Sequence, residues 1–305
     1  MRKLNGNEKE NIHFKWSPMN RARMEVEDDE LFEVIIPDSS VNQIKEYHTD
    51  KDLKSLNSEL FDGAVGPIAI KGAKPGDVIE VILDDIEIGS WGWTAIMNDF
   101  GLLKNEFDEK LVIWKIEKGI ALTPDSFSRK LRIPSNPFLG IIGTSPPDGE
   151  YGTIPPQYFG GNMDNRMNRK GSRVFLPVTV EGANLSISDP HATQGDGEVC
   201  GTAIETSAVV RARVKLHKNM NISTPQTISK IDDTYSAFCT TGIGKNLYEA
   251  SQKSVREMIQ KLSSSGFSRE ESYIISSVAG NLRISEIVDE PHYVVSFCIP
   301  EFILH

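Results

Sequence analysis

The sequence predicts an α+β protein in which strands predominate, arranged as β-sandwich or barrel-like sheets with a late helix pair packed on an additional sheet. Two observations carry that expectation. Up to Gly244 the chain is mostly a succession of short β-rich runs fenced by turn formers, among 24 glycines and 16 prolines in 305 residues. After that point apolar residues recur at helical spacing.

Taken in order, runs at 32–37, 66–71 and 78–88 read as strands, the last delivered by the turn Lys74-Pro-Gly-Asp77. Residues 43–60 mix charges with leucines and fit either a helix or an excursion between strands. Residues 132–161 contain Ile133-Pro-Ser-Asn-Pro137, Pro146-Pro147 and Pro155-Pro156. Proline offers no amide hydrogen, so this stretch is expected to be a long ordered loop without regular helix or central strand. Strands resume at 174–180, 183–187 and 203–216. In the last, Val210, Ala212, Val214 and Leu216 alternate with Arg211, Arg213 and Lys215, so one face is dry and the other wet. Leu247, Ala250, Val255, Met258, Ile259 and Leu262 then mark a helix that breaks at Ser263-Ser-Ser-Gly266. Ser268-Arg-Glu-Glu271 is a capping box for a second helix ending near Gly280, and strands at 282–288 and 293–299 follow. The expected division is an N-terminal β-rich domain (1–131), a loop and β-rich segment bearing the site (132–245), and a helix–helix–strand–strand segment (246–305).

Composition narrows the function classes. Hydrophobic residues at 39% and charged residues at 25% describe a globular chain large enough for a sizeable core. A net charge of −10 without a basic stripe argues against a nucleic-acid partner. No apolar span is long enough to cross a bilayer, and the N-terminal residues lack the apolar stretch of a secretory signal. Cys200, Cys239 and Cys298 are far apart and lack the spacing of a zinc knuckle or disulfide framework, which suits a reducing, cytoplasmic setting.

Polar residues concentrate between Gly160 and Glu205: Asn162, Asp164, Asp189, His191, Gln194, Asp196 and Glu198. A core has no use for them, because each buried polar group needs a partner. Asp189 and His191, two apart, project to one side if extended, and Glu198 returns after the turn Gly195-Asp196-Gly197. That arrangement can close around an ion. Imidazole with carboxylates suits zinc, carboxylates with amide oxygens suit calcium, and the ligand types do not choose between them. The bland readings are an ordinary loop pair for Asp189 and His191, a turn residue for Asp196, and an Asx turn for Asn162 and Asp164. Trp91 and Trp93 could bound an apolar pocket near Asp99 or simply pack. Asp38 is an outlying candidate, and Cys200 a nucleophile only if a base accompanies it.

Gly160-Gly-Asn-Met-Asp164, Gly171-Ser-Arg-Val-Phe-Leu-Pro177, Ser188-Asp-Pro-His-Ala-Thr-Gln-Gly-Asp-Gly-Glu198 and Gly201-Thr-Ala-Ile-Glu205 resemble, in order and spacing, the signature blocks of the acetamidase/formamidase family. Gly66-Pro-Ile-Ala-Ile70, Lys74-Pro-Gly-Asp-Val78, Gly92-Trp-Thr94 and Pro137-Phe-Leu-Gly140 extend the resemblance over almost the whole chain. Ser188 departs from it, standing where a glycine is expected. The resemblance implies hydrolysis of a short aliphatic amide to carboxylate and ammonia, a divalent metal (zinc ahead of calcium) and a homodimer or larger assembly. On that basis Asp189 and His191 are expected to hold or orient the metal. Glu198, or alternatively Asp196, serves as base, while Asn162, Asp164 and Trp93 face the substrate. The contrasting expectation is a non-catalytic, metal-stapled β-scaffold that binds a small polar ligand.

Overall fold

The computed structural model describes residues 1–231 and 235–305. Its largest sheet has nine strands, in the spatial order Arg2–Asn5, Phe32–Ile36, Ala208–His217, Val78–Ile88, Arg173–Pro177, Gln226–Lys230, Ser236–Gly244, Tyr293–Pro300 and Asn281–Glu286. A six-stranded sheet runs Gly160–Asn162, Phe138–Gly143, Leu185–His191, Ala64–Ile70 and Ile12–His13, with Met24–Val26 also pairing to Ala64–Ile70. Four more strands form a meander, Trp91–Ile96, Lys110–Glu117, Ile120–Leu122 and Arg132–Pro134.

The side-chain alternation in Ala208–His217 decides how the two large sheets meet. Ala208, Val210, Ala212 and Val214 are buried, while Arg211 pairs with Glu33 and Asp85, and Arg213 with Asp84. With Val34, Val81, Leu83 and Val174 they form one dry layer against Val65, Ile68, Leu139, Leu185 and Ile187 of the six-stranded sheet. Each such aliphatic side chain contributes about 1.5–3 kcal/mol on burial, so this sandwich is the main source of stability. The predicted class, strand-dominated α+β, is the one observed.

Helices α1 (Leu247–Ser264) and α2 (Arg269–Ala279) follow, capped by Asn246 and by the Ser268–Glu271 box. Met258 and Leu262 of α1 pack on Phe238, Phe297 and Ile299, so the pair lies on the nine-stranded sheet itself. Gly242 permits that close approach, because a Cβ there would collide with the carbonyl oxygen of Ala250 in α1.

Two expectations need correction. Residues 132–161 do contain a central strand, since Phe138–Gly143 is hydrogen-bonded on both sides. Pro134 and Pro137 lie before it and the other prolines beyond it, so no position within this strand lacks its donor. Cys239 and Cys298 form a disulfide, because they face each other on neighbouring strands despite a sequence separation of 59. Residues 43–60, left open between two readings, are an excursion with short 3-10 turns at Asp50–Ser55 and Ser58–Leu60. The nine-stranded sheet takes strands from 1–131, 132–245 and 246–305 alike, so these stretches share one hydrogen-bonded layer.

Candidate active site

The strand Leu185–His191 carries Asp189 and His191 into the interior beside Phe138–Gly143. Its register runs Ile141 opposite Ser188 and Leu139 opposite Pro190, and between them Asp189 breaks from the extended form with φ of 56°. Gly140 stands at that point, and a Cβ on it would collide with the carboxylates of Asp189 and Asp164. Asp62, Asp164 and Glu198 also have positive φ, at 53°, 43° and 48°. For residues with a Cβ this conformation is costly, and strain of this kind gathers at binding and catalytic sites.

Glu205 completes the centre. Its backbone bridges Trp93 on one side and His191 on the other, which fixes its carboxylate in the interior. That carboxylate accepts from Ser39 Oγ at 2.8 Å and from the Ala203 amide at 2.7 Å. His191 Nε2 lies 3.0 Å from Asp189 Oδ2, 3.1 Å from Glu205 Oε2 and 3.9 Å from Glu198 Oε1. The other ring nitrogen, Nδ1, is 2.9 Å from Gln194 Oε1.

These groups border a cavity of about 30 Å³, walled by Phe61, Trp93, Met97 and Phe100 and polar through Asp62, Asn162, His191, Glu198, Glu205 and Asp289. That volume admits about two waters or one molecule of a few heavy atoms. A cleft of about 440 Å³ beside α1 is larger but lies among Lys245, Glu249, Arg256 and Glu257 at the surface, away from this cluster.

Charge is the unusual property of the cavity. Asp62, Asp164, Asp189, Glu198 and Glu205 surround a single imidazole, with Glu286 and Asp289 beside Asp164, and in a buried site they cannot all be ionised together without added positive charge. Burial drives Asp189 well above the ordinary carboxyl range against the pull of His191. Burial, then the charge of Asp164, does the same for Glu198. For Asp289 burial acts first, then Asp164 and Glu286, while Glu286 is pushed up to about 8 chiefly by burial. Glu205 goes the other way: burial pushes it up, but His191 and the Ser39 hydroxyl outweigh that and hold it ionised. Burial likewise opposes the imidazolium of His191, yet Asp189 and Glu205 raise its pKa well above the usual value.

The donors fit a cation. Among the described residues, buried Asp164 Oδ1 and Oδ2, Asp189 Oδ1, Asn162 Oδ1 and Glu286 Oε1 have no hydrogen-bond partner. Buried acceptors are seldom left so, and an ion is one of the standard explanations. Asp189, His191 and Glu205 can converge on one point, as can Asp164, His191 and Glu198, with ligand atoms within 4.8 Å of one another in each set.

Of the residues singled out in the sequence, Asn162, Asp164, Asp189, His191, Glu198 and Trp93 come together here. Asp196 does not. It points to the surface and its carboxylate is held by Arg283 at 2.8 Å and Arg166 at 3.4 Å, so the expectation of Asp196 as an alternative base is corrected. Cys200 donates to the Thr202 carbonyl and has no imidazole beside it, and Asp99 bonds Asn105 outside the cavity. Asp38 accepts from the Trp93 indole at 3.1 Å and thereby orients the cavity wall. Ser188 donates to the Gly63 carbonyl at 2.6 Å, tying the catalytic strand to the loop of Asp62. Sequence reasoning overlooked Asp62 and Asp289, which sit in turn-like contexts (Phe61-Asp-Gly63 and Asp289-Glu-Pro291), and Glu286, which ends a strand, and gave Glu205 no role of its own.

The chain is also similar to known proteins. The sequence model of the acetamidase/formamidase family matches residues 1–151 and 147–305. A Schizosaccharomyces pombe protein is 31% identical over 271 residues, covering 70% of this chain, and the match spans 65% of that longer relative. A formamidase of Methylophilus methylotrophus is 26% identical over 363 residues, covering 95% of this chain and 88% of the relative. The crystal structure of an acetamidase from Bacillus halodurans superposes with a TM-score of 0.90 at 27% identity, covering 98% of this chain and 97% of that one.

Proposed function

This chain belongs to the acetamidase/formamidase family, and from that premise we propose that it hydrolyses the C–N bond of a short aliphatic amide to a carboxylate and ammonia. The observation that carries the reading is the cavity of about 30 Å³ in which unpaired acceptors surround His191. Its size suits an amide with few carbons, and its chemistry suits a reaction that moves protons between water and nitrogen.

Asp189, His191 and Glu205 would hold a divalent cation, zinc ahead of calcium because imidazole joins the carboxylates. When bound, such a cation supplies polarisation of water or of a carbonyl oxygen. The chain's own groups divide the remaining work. Glu205, held by the Ser39 hydroxyl and the Ala203 amide, anchors the centre without needing to exchange a proton. Glu198 stands farther from His191 Nε2, at 3.9 Å, so it is the carboxyl free to accept a proton from attacking water and return it to the departing nitrogen.

A primary amide presents two N–H donors on its leaving nitrogen. Asn162 Oδ1 and the Asp164 carboxylate are acceptors with nothing yet to accept from, and Asn162 is held in place through Nδ2 by Asp289 Oδ2 at 2.8 Å. They therefore suit the amide nitrogen, while Trp93, Met97 and Phe100 limit chain length.

The test is ammonia release from formamide, acetamide, propionamide and butyramide, using protein stripped of metal and reconstituted with zinc, calcium, magnesium or manganese. Turnover that appears with one ion and falls at least 100-fold in Glu198→Gln, with metal content retained, is the expected result. Ligand-induced stabilisation with no ammonia from any amide would instead identify a binding scaffold.

A further inference from the structure

We propose that Gln194 is a positioning residue that fixes the protonation geometry of His191, keeping a proton on Nδ1 so that Nε2 is the atom presented to Asp189, Glu205 and Glu198. The inference rests on the cation-binding reading above but concerns the imidazole itself.

The side-chain amide of Gln194 is buried. Its nitrogen lies 3.1 Å from the Asp164 carbonyl oxygen and 3.3 Å from the Ser285 carbonyl oxygen. Both partners can only accept, so this end of the side chain must be the NH₂ group. The reversed amide would press an oxygen against two carbonyl oxygens. With that orientation fixed, Gln194 Oε1 faces His191 Nδ1 at 2.9 Å and can only accept, and Nδ1 must donate.

The consequence falls on the other nitrogen. A neutral ring with its proton on Nε2 would set the Nδ1 lone pair against Gln194 Oε1 and is disfavoured. Two states remain: an imidazolium whose Nε2–H donates to Asp189 and Glu205, or a neutral ring whose Nε2 lone pair meets a cation at the same point. Passage between them removes one proton from Nε2 and requires no ring flip. The edge of Phe138, 4.9 Å away between centroids at 85°, holds the ring plane in both. Partners of this kind orient a ligating imidazole, and their loss typically costs 10–100-fold in metal affinity.

Gln194 also ties together three separate segments, those of Asp164, His191 and Ser285, so a purely structural role has to be distinguished from ring positioning. Gln194→Glu keeps an acceptor for Nδ1–H and loses both donors to the carbonyls. Gln194→Met keeps the length and loses everything. The experiment combines long-range ¹H–¹⁵N spectra of the His191 ring, recorded without metal and with Zn²⁺, with Zn²⁺ affinity measured by chelator competition. In the unsubstituted protein the expected spectrum has Nδ1 protonated in both states, with Zn²⁺ shifting only Nε2. Zinc affinity is expected to fall about 10–100-fold in Gln194→Met and to return to within about threefold in Gln194→Glu. An unprotonated Nδ1, equal losses in the two variants, or a Met variant within twofold of the parent would each overturn the proposal. If the parent protein takes no Zn²⁺, the metal reading falls, and the protonation of Nδ1 in the metal-free spectrum still decides for or against the role of Gln194.

Discussion

Gly140 and Asp189 occupy one site between them: the carboxylate of Asp189, with that of Asp164, fills the space a Cβ on residue 140 would need. Gly140→Ala is therefore expected to displace both carboxylates and lower amide turnover about 100-fold, since a misplacement of about 1 Å at a reacting centre costs that much. Overpacking adds a stability loss of about 1–3 kcal/mol, readable by urea unfolding. Activity within threefold of the parent would mean that the carboxylates need not lie over Gly140.

Phe100 sets the far wall of the cavity, packed against Gly201, where a Cβ would lie 2.5 Å from its ring. Phe100→Ala is expected to raise the rate on butyramide relative to formamide by about tenfold or more, in line with the 10–200-fold discrimination that one methylene commonly carries. The measurement is kcat/KM across the amide series, and an unchanged ratio would move the chain-length limit to Trp93 or Met97.

His13 offers a pH dependence separate from the cavity acids. Burial lowers its pKa from 6.5 to about 4, while Nε2 bonds Ser186 Oγ at 2.9 Å. Below pH 6.5 the unfolded chain takes up a proton that the folded protein refuses until about pH 4. The stability that neutral His13 permits is present above the unfolded pKa and is lost as pH falls through that window. The loss is on the order of 3 kcal/mol by pH 4. His13→Gln should lie closer to the parent, or above it, at pH 4.5 than at pH 7.5 in urea unfolding; an equal difference at both values would remove His13 as the source.

The Cys239–Cys298 pair leaves Cys200 as the free thiol. Thiol titration in denaturant without reductant is expected to find one reactive group, and after reduction three. Three groups before reduction would show the pair to be open in the purified protein.

Much of this fold could be read from local pattern. The alternation at 203–216, the apolar spacing around Met258 and the Ser268–Glu271 box report local physics, and each produced its element. Phe138–Gly143 was harder, because prolines at its borders look the same in sequence whether they interrupt a ladder or flank it. Asp189, His191 and Glu198 were visible through density of polar types. Asp62, Glu286 and Asp289 were not, since an acid beside a glycine, at a strand end or two residues before a proline is ordinary until the chain path buries it. Cys239 and Cys298 were hidden for the same reason: a strand pairing across 59 residues leaves no trace in spacing.

Glu286 ends the strand Asn281–Glu286 and Asp289 lies on the turn to Tyr293–Pro300, yet Asp289 forms part of the cavity wall and meets Asn162, 127 residues earlier. Synthesis runs from the N-terminus. A growing chain thus presents Asp164, Asp189 and Glu198 well before Asp289, which borders the same cavity, has been made. A product truncated before Asn281 would keep Asp164, Asp189, His191, Glu198 and Glu205 and lack the carboxylate that holds Asn162.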